Sequence, residues 1–237
     1  MAKKSNRYYS VYSLTKYNKY DIILYSELIL ARIPRNLGCR LTNKQEVSLM
    51  VKKLNLHRHA DKSPDNHISV TGRRQAKDEG KRYDRTYGPD GVQHIFVSPL
   101  IRTTETAYAM ISGRFAFDQT AVHNAVTGLG DDEMFRQMVT AEFKDAVSHG
   151  ASNLDALSVH SDEFIADLIA RGEMAIRAMF DAMLDGQLGV GLFHDPTIPM
   201  LARHFGLTDA RSLNSMEAIT FRCSPSGVIS ATWPSWK

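Results

Sequence analysis

Two arginines and two histidines follow predicted strands at three places that lie far apart in the sequence. Arg58 and His59 follow the first strand, Arg102 comes shortly after the second, and His194 follows the third. A guanidinium presents a planar fork of donors that matches phosphate oxygens. A neutral imidazole is a nucleophile near pH 7 when a hydrogen bond holds its other nitrogen. These residue types predict a site for a tetrahedral dianion, and they suit a metal ion poorly because the cations would repel it.

Phosphoryl transfer is the reaction that such a set could perform. Attack by the His59 ring on phosphorus would form a phosphohistidine, and the charge on the phosphoryl oxygens would spread onto Arg58, Arg102 and His194. The leaving oxygen then needs a proton, so an acid must lie on the other side of the phosphorus. Water would later release phosphate from the histidine.

Strand and helix signals alternate from residue 50 onward. Predicted strands cover residues 54–57, 92–97, 117–122 and 188–193, and a final pair, 218–223 and 228–232, is joined by a turn. Predicted helices cover residues 74–83 with Thr71 as N-cap, 102–112, 135–147 and 162–183, and a last one begins at Pro196. This order predicts a three-layer α/β/α fold with a mainly parallel central sheet. Ligands bind outside the carboxyl ends of such strands, so the three segments should meet at one edge.

Four stretches in the same order resemble the histidine phosphatase superfamily, which includes the cofactor-dependent phosphoglycerate mutases. The resemblance extends from about residue 50 to the C-terminus. Residues 56–60 resemble the Arg-His-Gly signature, with Ala60 in place of the glycine. Residues 71–76, 98–107 and 193–198 are similar to the Thr-x-x-Gly-x-x-Gln-Ala region, the Ser-Pro-x-x-Arg stretch and the second histidine motif.

The resemblance implies a phosphoglycerate mutase-like fold and a role for each of four residues. His59 corresponds to the phosphorylated nucleophile of the family. Arg58, Arg102 and His194 correspond to the groups that hold the phosphoryl group. The resemblance implies no metal and no organic cofactor.

The proton donor is the least defined residue of the predicted site. Many members of the family carry a glutamate in a segment that aligns loosely with residues 129–131. Asp131 is the favoured candidate, followed by Glu133, and Asp132 is also possible. Asp195 is a further candidate, because one branch of the superfamily uses the acid directly after the second histidine.

His57 and His59 also have the His-x-His spacing of some metal-dependent hydrolases. Those enzymes use a barrel of eight strand–helix units, which needs more chain than the sequence supplies after residue 50. Arg58 also lies between the two histidines. We therefore predict a structural role for His57 and no metal site.

The first 49 residues differ from the rest, because the first twenty hold five Lys or Arg, no acid and five tyrosines. We predict a basic N-terminal extension over residues 1–49, either disordered or the product of an upstream start, and a catalytic domain over residues 50–237. The net charge of +3 is too small to favour nucleic acid as a partner. The apolar stretch 22–33 is broken by Glu27 and too short to span a bilayer, and two cysteines fit a reducing compartment. These features predict a cytoplasmic protein that does not bind a membrane.

Three functions remain open on the sequence. The first is a phosphatase that acts on a phosphorylated small molecule or a phosphoprotein. The second is a phosphoglycerate-type mutase, which must keep water from its phosphohistidine and usually needs more lid structure. The third is a non-catalytic phosphate-binding domain that has lost its acid.

Overall fold

Six strands form one sheet in the part of the chain that the computed structural model describes, which is residues 50–114, 120–123 and 126–235. The predicted N-terminal extension lies outside these residues. The strands are β1 (Lys52–Arg58), β2 (His94–Val97), β3 (Ala121–His123), β4 (Leu188–Phe193), β5 (Ala218–Cys223) and β6 (Ile229–Thr232). Their order across the sheet is β3-β2-β4-β1-β5-β6.

The sheet is parallel over its first four strands. β2 pairs in parallel with β3 and β4, and β4 pairs in parallel with β1. β5 runs antiparallel to β1, and β6 runs antiparallel to β5. The predicted mainly parallel sheet and the final antiparallel pair of strands are confirmed.

Helices connect the strands and cover both faces of the sheet. They are α1 (Val70–Tyr87), α2 (Ile101–Ile111), α3 (Asp132–Met138), α4 (Ala141–Ser148), α5 (Asp162–Asp181) and α6 (Thr197–His204), with a short 3-10 helix at Asp155–Val159. None of the helices in the described residues is long and apolar enough to cross a membrane.

Alternate strand residues point to opposite faces, and each face builds its own core. Leu54 and Leu56 of β1 belong to a core that α3, α5 and α6 also enter. Val190 and Leu192 of β4 belong to the other core, together with α1 and α2. The sheet therefore lies between two helical layers, and the predicted α/β fold is confirmed.

Local polar chemistry explains where the structure departs from the predicted elements. Ser69, not Thr71, caps α1, because the Ser69 side chain accepts a hydrogen bond from the Gly72 amide. The predicted helix 135–147 is two helices, because Thr140 leaves helical geometry and its side chain caps α4. The third strand ends one residue later than predicted, and residues 117–119 of that prediction lie outside the described residues.

Candidate active site

The carboxyl ends of β1, β2 and β4 lie side by side, and this brings the predicted site residues together. Arg58 at the end of β1 pairs with Phe193 at the end of β4. The backbone amide of His59 then donates to the Phe193 carbonyl at 3.0 Å, and the amide of Ser98 donates to the Leu192 carbonyl at 3.3 Å. The next residue of the chain after β4 is His194.

The His59 ring has one nitrogen held and the other facing an arginine. Nδ1 lies 2.7 Å from the Ala60 carbonyl, which can only accept, so Nδ1–H is the donor. Nε2 therefore carries the lone pair, and it accepts from Nε of Arg102 at 3.1 Å. Burial lowers the pKa of His59 to about 4, and the charges of Arg102, Arg58 and Lys62 add to this effect. The imidazole is neutral at pH 7, as a nucleophile must be.

Ala60, whose carbonyl orients His59, is held by α2 through its backbone amide. The backbone amide of Ala60 donates to the Thr106 hydroxyl at 3.2 Å, and that hydroxyl donates to the Arg102 carbonyl at 2.6 Å. The Ala60 methyl is fully buried in the core shared with α1 and α2. The alanine that replaces the glycine of the family signature therefore contributes to packing.

His194 lies directly across the site from His59. The two ring centroids are 5.2 Å apart at an interplanar angle of 61°. Nε2 of His194 bonds the Ser98 hydroxyl at 2.8 Å, and Nδ1 lies 3.3 Å from Nη2 of Arg102. Burial and, after it, the charge of Arg102 place the pKa of His194 well below its usual value. The second imidazole is therefore also neutral and faces the same guanidinium.

The two arginines are held in different ways. Arg102 spans both imidazoles, and its Cζ lies 5.3 Å from the centroid of the Phe135 ring. Arg58 donates from Nη1 to the Leu213 carbonyl at 2.6 Å. Burial lowers the pKa of Arg102, and the charge of Arg58 adds a smaller effect in the same direction. All four predicted phosphate-contacting groups are thus assembled in one place.

Lys62 and Phe135 belong to the site although the sequence analysis did not identify them. Burial is the main cause of the lowered pKa of both His59 and His194, and the charge of the exposed Lys62 makes a smaller contribution in the same direction. The Phe135 ring packs edge-on against His194 with centroids 4.8 Å apart. Lys62 lies three residues after His59, and this spacing could have signalled it. Phe135 lies in an irregular region that carries no comparable signal.

Residues 71–76, which resemble a family motif, hold the loop that follows His59. Nε2 of Gln75 donates to the Asp61 carboxylate at 2.9 Å, and the Asp61 amide donates to the Gln75 side-chain carbonyl at 3.2 Å. Gly72 permits the close approach, because a Cβ there would lie 2.1 Å from the Asp61 carbonyl oxygen. Residues 71–76 therefore lie outside the site and hold in place the loop that follows His59.

The candidate acids occupy different environments. Asp131 is the N-cap of α3, where Oδ1 accepts from the Met134 amide at 2.8 Å. Glu133 is exposed and binds Arg136 at 2.6 Å. The charge of Asp132 opposes the lowering of the pKa of Arg102.

The fourth candidate acid, Asp195, is buried. Both of its carboxylate oxygens accept hydrogen bonds, one from the Leu213 amide and one from the Asn153 side chain.

His57 lies inside the protein, below the site. Its Nδ1 lies 2.8 Å from the Met216 carbonyl, and its Nε2 lies 2.8 Å from the Tyr83 hydroxyl. Both ring nitrogens have partners, which fits the predicted structural role. Among the described residues, no three His, Cys, Asp or Glu side chains cluster in a way that could hold a metal ion.

Comparison with known proteins supplies independent evidence about the family. The family described as histidine phosphatase superfamily (branch 1) matches residues 52–220, and the chain therefore belongs to this superfamily. The resemblance stated from the sequence is confirmed. No curated protein matches the sequence.

Solved structures show the same fold at low identity. A phosphoglycerate mutase from Bacillus anthracis is similar with a TM-score of 0.53 and 14% identity, over 80% of this chain and 95% of that one. A mycobacterial glucosyl-3-phosphoglycerate phosphatase in complex with inorganic phosphate has a TM-score of 0.52 and 16% identity, over 79% and 96% of the chains. The protein histidine phosphatase SixA complexed with tungstate has a TM-score of 0.50 and 11% identity, over 76% and 94%.

Proposed function

We propose that this protein is a phosphomonoester hydrolase that works through a phosphohistidine on His59. The observation that carries the proposal is the state of Nε2 of His59. This atom carries a lone pair because Nδ1 donates to the Ala60 carbonyl, and the lone pair accepts from Nε of Arg102 beside His194. A phosphoryl group that approaches Nε2 would replace the bond from Arg102 and offer its oxygens to the same guanidinium.

In the first step Nε2 of His59 attacks phosphorus while the bond from phosphorus to the leaving oxygen breaks. The phosphoryl oxygens would be bound by Arg58, Arg102 and His194. Nδ1 of His194 accepts from Nη2 of Arg102, which can only donate, so Nε2–H of His194 donates to the Ser98 hydroxyl in the structure. Because that hydroxyl can also donate, it would support the other tautomer, whose Nδ1–H donates to a phosphoryl oxygen when the guanidinium turns to bind phosphate. In the second step water attacks phosphorus, the N–P bond breaks, and phosphate leaves the neutral ring.

Asp132 is the proton donor that we assign to the leaving oxygen. Asp132 and Phe135 are three residues apart on α3 and therefore share a helix face. Phe135 packs against both His194 and Arg102, so this face is turned toward the site. Asp132 would protonate the leaving oxygen in the first step and take a proton from water in the second. The assignment revises the preference for Asp131 and Glu133, whose carboxylates cap the helix or bind its outer side.

The proposed substrates are phosphorylated small molecules or phosphoproteins. The two guanidiniums and the exposed ammonium of Lys62 favour a dianionic phosphomonoester. Inorganic phosphate would be the second product. No nucleic acid, membrane or organic cofactor takes part in this proposal.

Rapid quenching in an alkaline denaturant after mixing with a labelled phosphomonoester tests the proposal. We expect phosphate release and a protein-bound label that is labile to acid, stable to base and absent from His59→Ala. Transfer of phosphate between substrate hydroxyls after priming by a bisphosphate would indicate a mutase instead. Phosphate binding without label or turnover would indicate a binding domain. Full activity in His59→Ala would exclude both catalytic functions.

A further inference from the structure

Asp195 is a buried carboxylate beside the site that the proposed chemistry does not use. It is 9% exposed and directly follows His194 in the chain. Its Oδ1 accepts from the Leu213 amide at 2.9 Å, and its Oδ2 accepts from Nδ2 of Asn153 at 2.9 Å. With both oxygens engaged, the carboxylate is better placed to fix its neighbours than to donate a proton.

Leu213 connects Asp195 to the phosphate-binding groups. Its carbonyl accepts from Nη1 of Arg58 at 2.6 Å, and its side chain is 1% exposed. The loop that contains Leu213 also binds the main chain of Arg58, because the Arg58 amide donates to Glu217 and the Arg58 carbonyl accepts from Met216. One hydrogen-bonded chain therefore runs from the Asp195 carboxylate through the Leu213 main chain to the Arg58 guanidinium.

This series of hydrogen bonds from Asp195 to Arg58 has a clear consequence for phosphate binding. An arginine side chain has many rotamers, and a free one would have to be ordered each time substrate binds. The Leu213 carbonyl occupies one N–H of Arg58 and leaves the other donors of the fork for an anion. The position of that carbonyl depends in turn on the hydrogen bond from the Leu213 amide to Asp195.

We propose that Asp195 is a positioning residue that holds Arg58 toward the phosphoryl group through the main chain of Leu213. The proposal rests on the proposed function, since it takes the cluster of Arg58, Arg102 and the two imidazoles as the phosphate site. It assigns to Asp195 a role other than proton donation.

A double-mutant cycle tests whether Asp195 acts through Arg58. The readouts are the Kd of tungstate, a tetrahedral dianion, by calorimetry, and KM and kcat for phenyl phosphate. We expect Asp195→Ala to weaken tungstate binding and raise KM by about tenfold, with a smaller change in kcat. The same substitution in an Arg58→Ala background should change Kd by less than about twofold, whereas in an Arg102→Ala background it should keep its full effect.

Two further variants keep the test decisive. Asn153→Ala removes the other partner of the carboxylate and leaves its bond to Leu213, so tungstate binding should stay within about twofold of wild type. Asp195→Asn is closest in shape and keeps an acceptor for the Leu213 amide. We expect Asp195→Asn to weaken tungstate binding by about threefold, and this effect should also vanish in the Arg58→Ala background. This variant replaces Asp195→Ala in the test if Asp195→Ala fails to fold.

The outcomes separate this proposal from the proposed function. An equal loss of affinity in the Arg58→Ala background, or unchanged affinity in folded Asp195→Ala, would overturn the positioning role even if the enzyme hydrolyses phosphomonoesters. Coupling to Arg58 in a protein that turns over no phosphomonoester would support the positioning role and overturn the hydrolase assignment.

Discussion

The two imidazoles of the site are held on several sides, whereas the carboxylates across from them begin a short helix that is open to solvent. His59 and His194 are 7% and 1% exposed, and each contacts a guanidinium. Asp132 and Glu133, in contrast, are exposed on the first turn of α3. We call the first region, Arg58, His59, Ser98, Arg102 and His194, the phosphate cradle, and the second, residues 126–138, the acid segment.

The difference follows from what each region has to do. Under the proposed function the cradle presents fixed charge to a phosphoryl group in a place where water is excluded, so its donors are most effective when buried and immobile. A general acid must instead exchange its proton with water in every turnover, which an exposed carboxylate does readily. Substitutions in the cradle should therefore affect every substrate, and those in the acid segment only substrates whose leaving group needs a proton.

The largest effect is expected for Arg102, the residue that contacts both imidazoles. Arg102→Ala should lower kcat by about 100- to 1,000-fold, because it removes a preorganised donor from the transferring group. Arg102→Lys should recover little of this, since one ammonium cannot reproduce a planar fork that reaches two rings. Steady-state kinetics with phenyl phosphate measure the loss. Arg136→Ala, on the exposed side of α3, is the control and should change kcat by less than about twofold.

A loss below about threefold in folded Arg102→Ala would contradict the central place of Arg102 in the cradle.

The second prediction concerns the acid segment and depends on the leaving group. Asp132→Asn should lower kcat/KM by about 100-fold for an alkyl phosphate, and much less for p-nitrophenyl phosphate, whose phenolate leaves without a proton. Glu133→Gln and Asp131→Asn are matched neighbours, and asparagine is as good an N-cap as aspartate. Both should behave like wild type with either ester. The assignment fails if a neighbour shows the leaving-group dependence in place of Asp132.

The same contrast explains which parts of the site the sequence could predict. Arg58 ends a strand, and His59 and His194 directly follow strands. Because parallel strands end at one edge of a sheet, the sequence could predict that these residues lie at the same edge. The acid segment follows no such rule. Its first turn holds three consecutive acids, and only the direction of α3, set by the packing of Phe135 against His194, decides which of them faces the site.

Two other features also depended on tertiary contacts. Lys62 lies on a loop whose course is set by hydrogen bonds from Gln75 to Asp61, which join segments fourteen residues apart. The proposed role of Asp195 depends on Leu213, which lies in the segment that precedes β5, the strand paired with β1. Strand order and alternation were sufficient for the sheet, whereas these side chains were oriented by neighbours that sequence spacing does not specify.

Gly130 lies where the two regions touch and provides the third prediction. Its φ is +134°, and a Cβ there would lie 2.2 Å from Cδ2 of His194. Gly130→Ala should therefore displace His194 and lower kcat/KM by about tenfold. Gly150 has φ +96° with nothing within 4 Å of a Cβ, so Gly150→Ala is a control for backbone strain without a clash. Both variants should lose about 1–2 kcal/mol of stability in thermal unfolding, and only the first should lose activity. Unchanged kcat/KM in Gly130→Ala would show that the packing of the acid segment at Gly130 does not determine the position of His194 in the cradle.

The smallest effect is a difference between two titrations, measured by NMR of the imidazole ring carbons. His59 and His67 are eight residues apart, yet burial lowers the pKa of His59 to about 4, while the hydrogen bond to Glu105 raises the pKa of exposed His67 above its usual 6.5. The lowered pKa means that His59 stays neutral through pH 5 to 7, so loss of the nucleophile should limit kcat/KM only near pH 4.

Between pH 6.5 and about 4 the unfolded chain binds a proton that folded His59 does not, so this residue's contribution to stability should fall as the pH falls through that window. The contribution of His67 has the opposite sign: it is complete below pH 6.5 and is lost as the pH rises through the folded pKa. A midpoint for His59 near 6.5 would mean that water reaches the ring, and the buried cradle would no longer differ from the exposed acid segment.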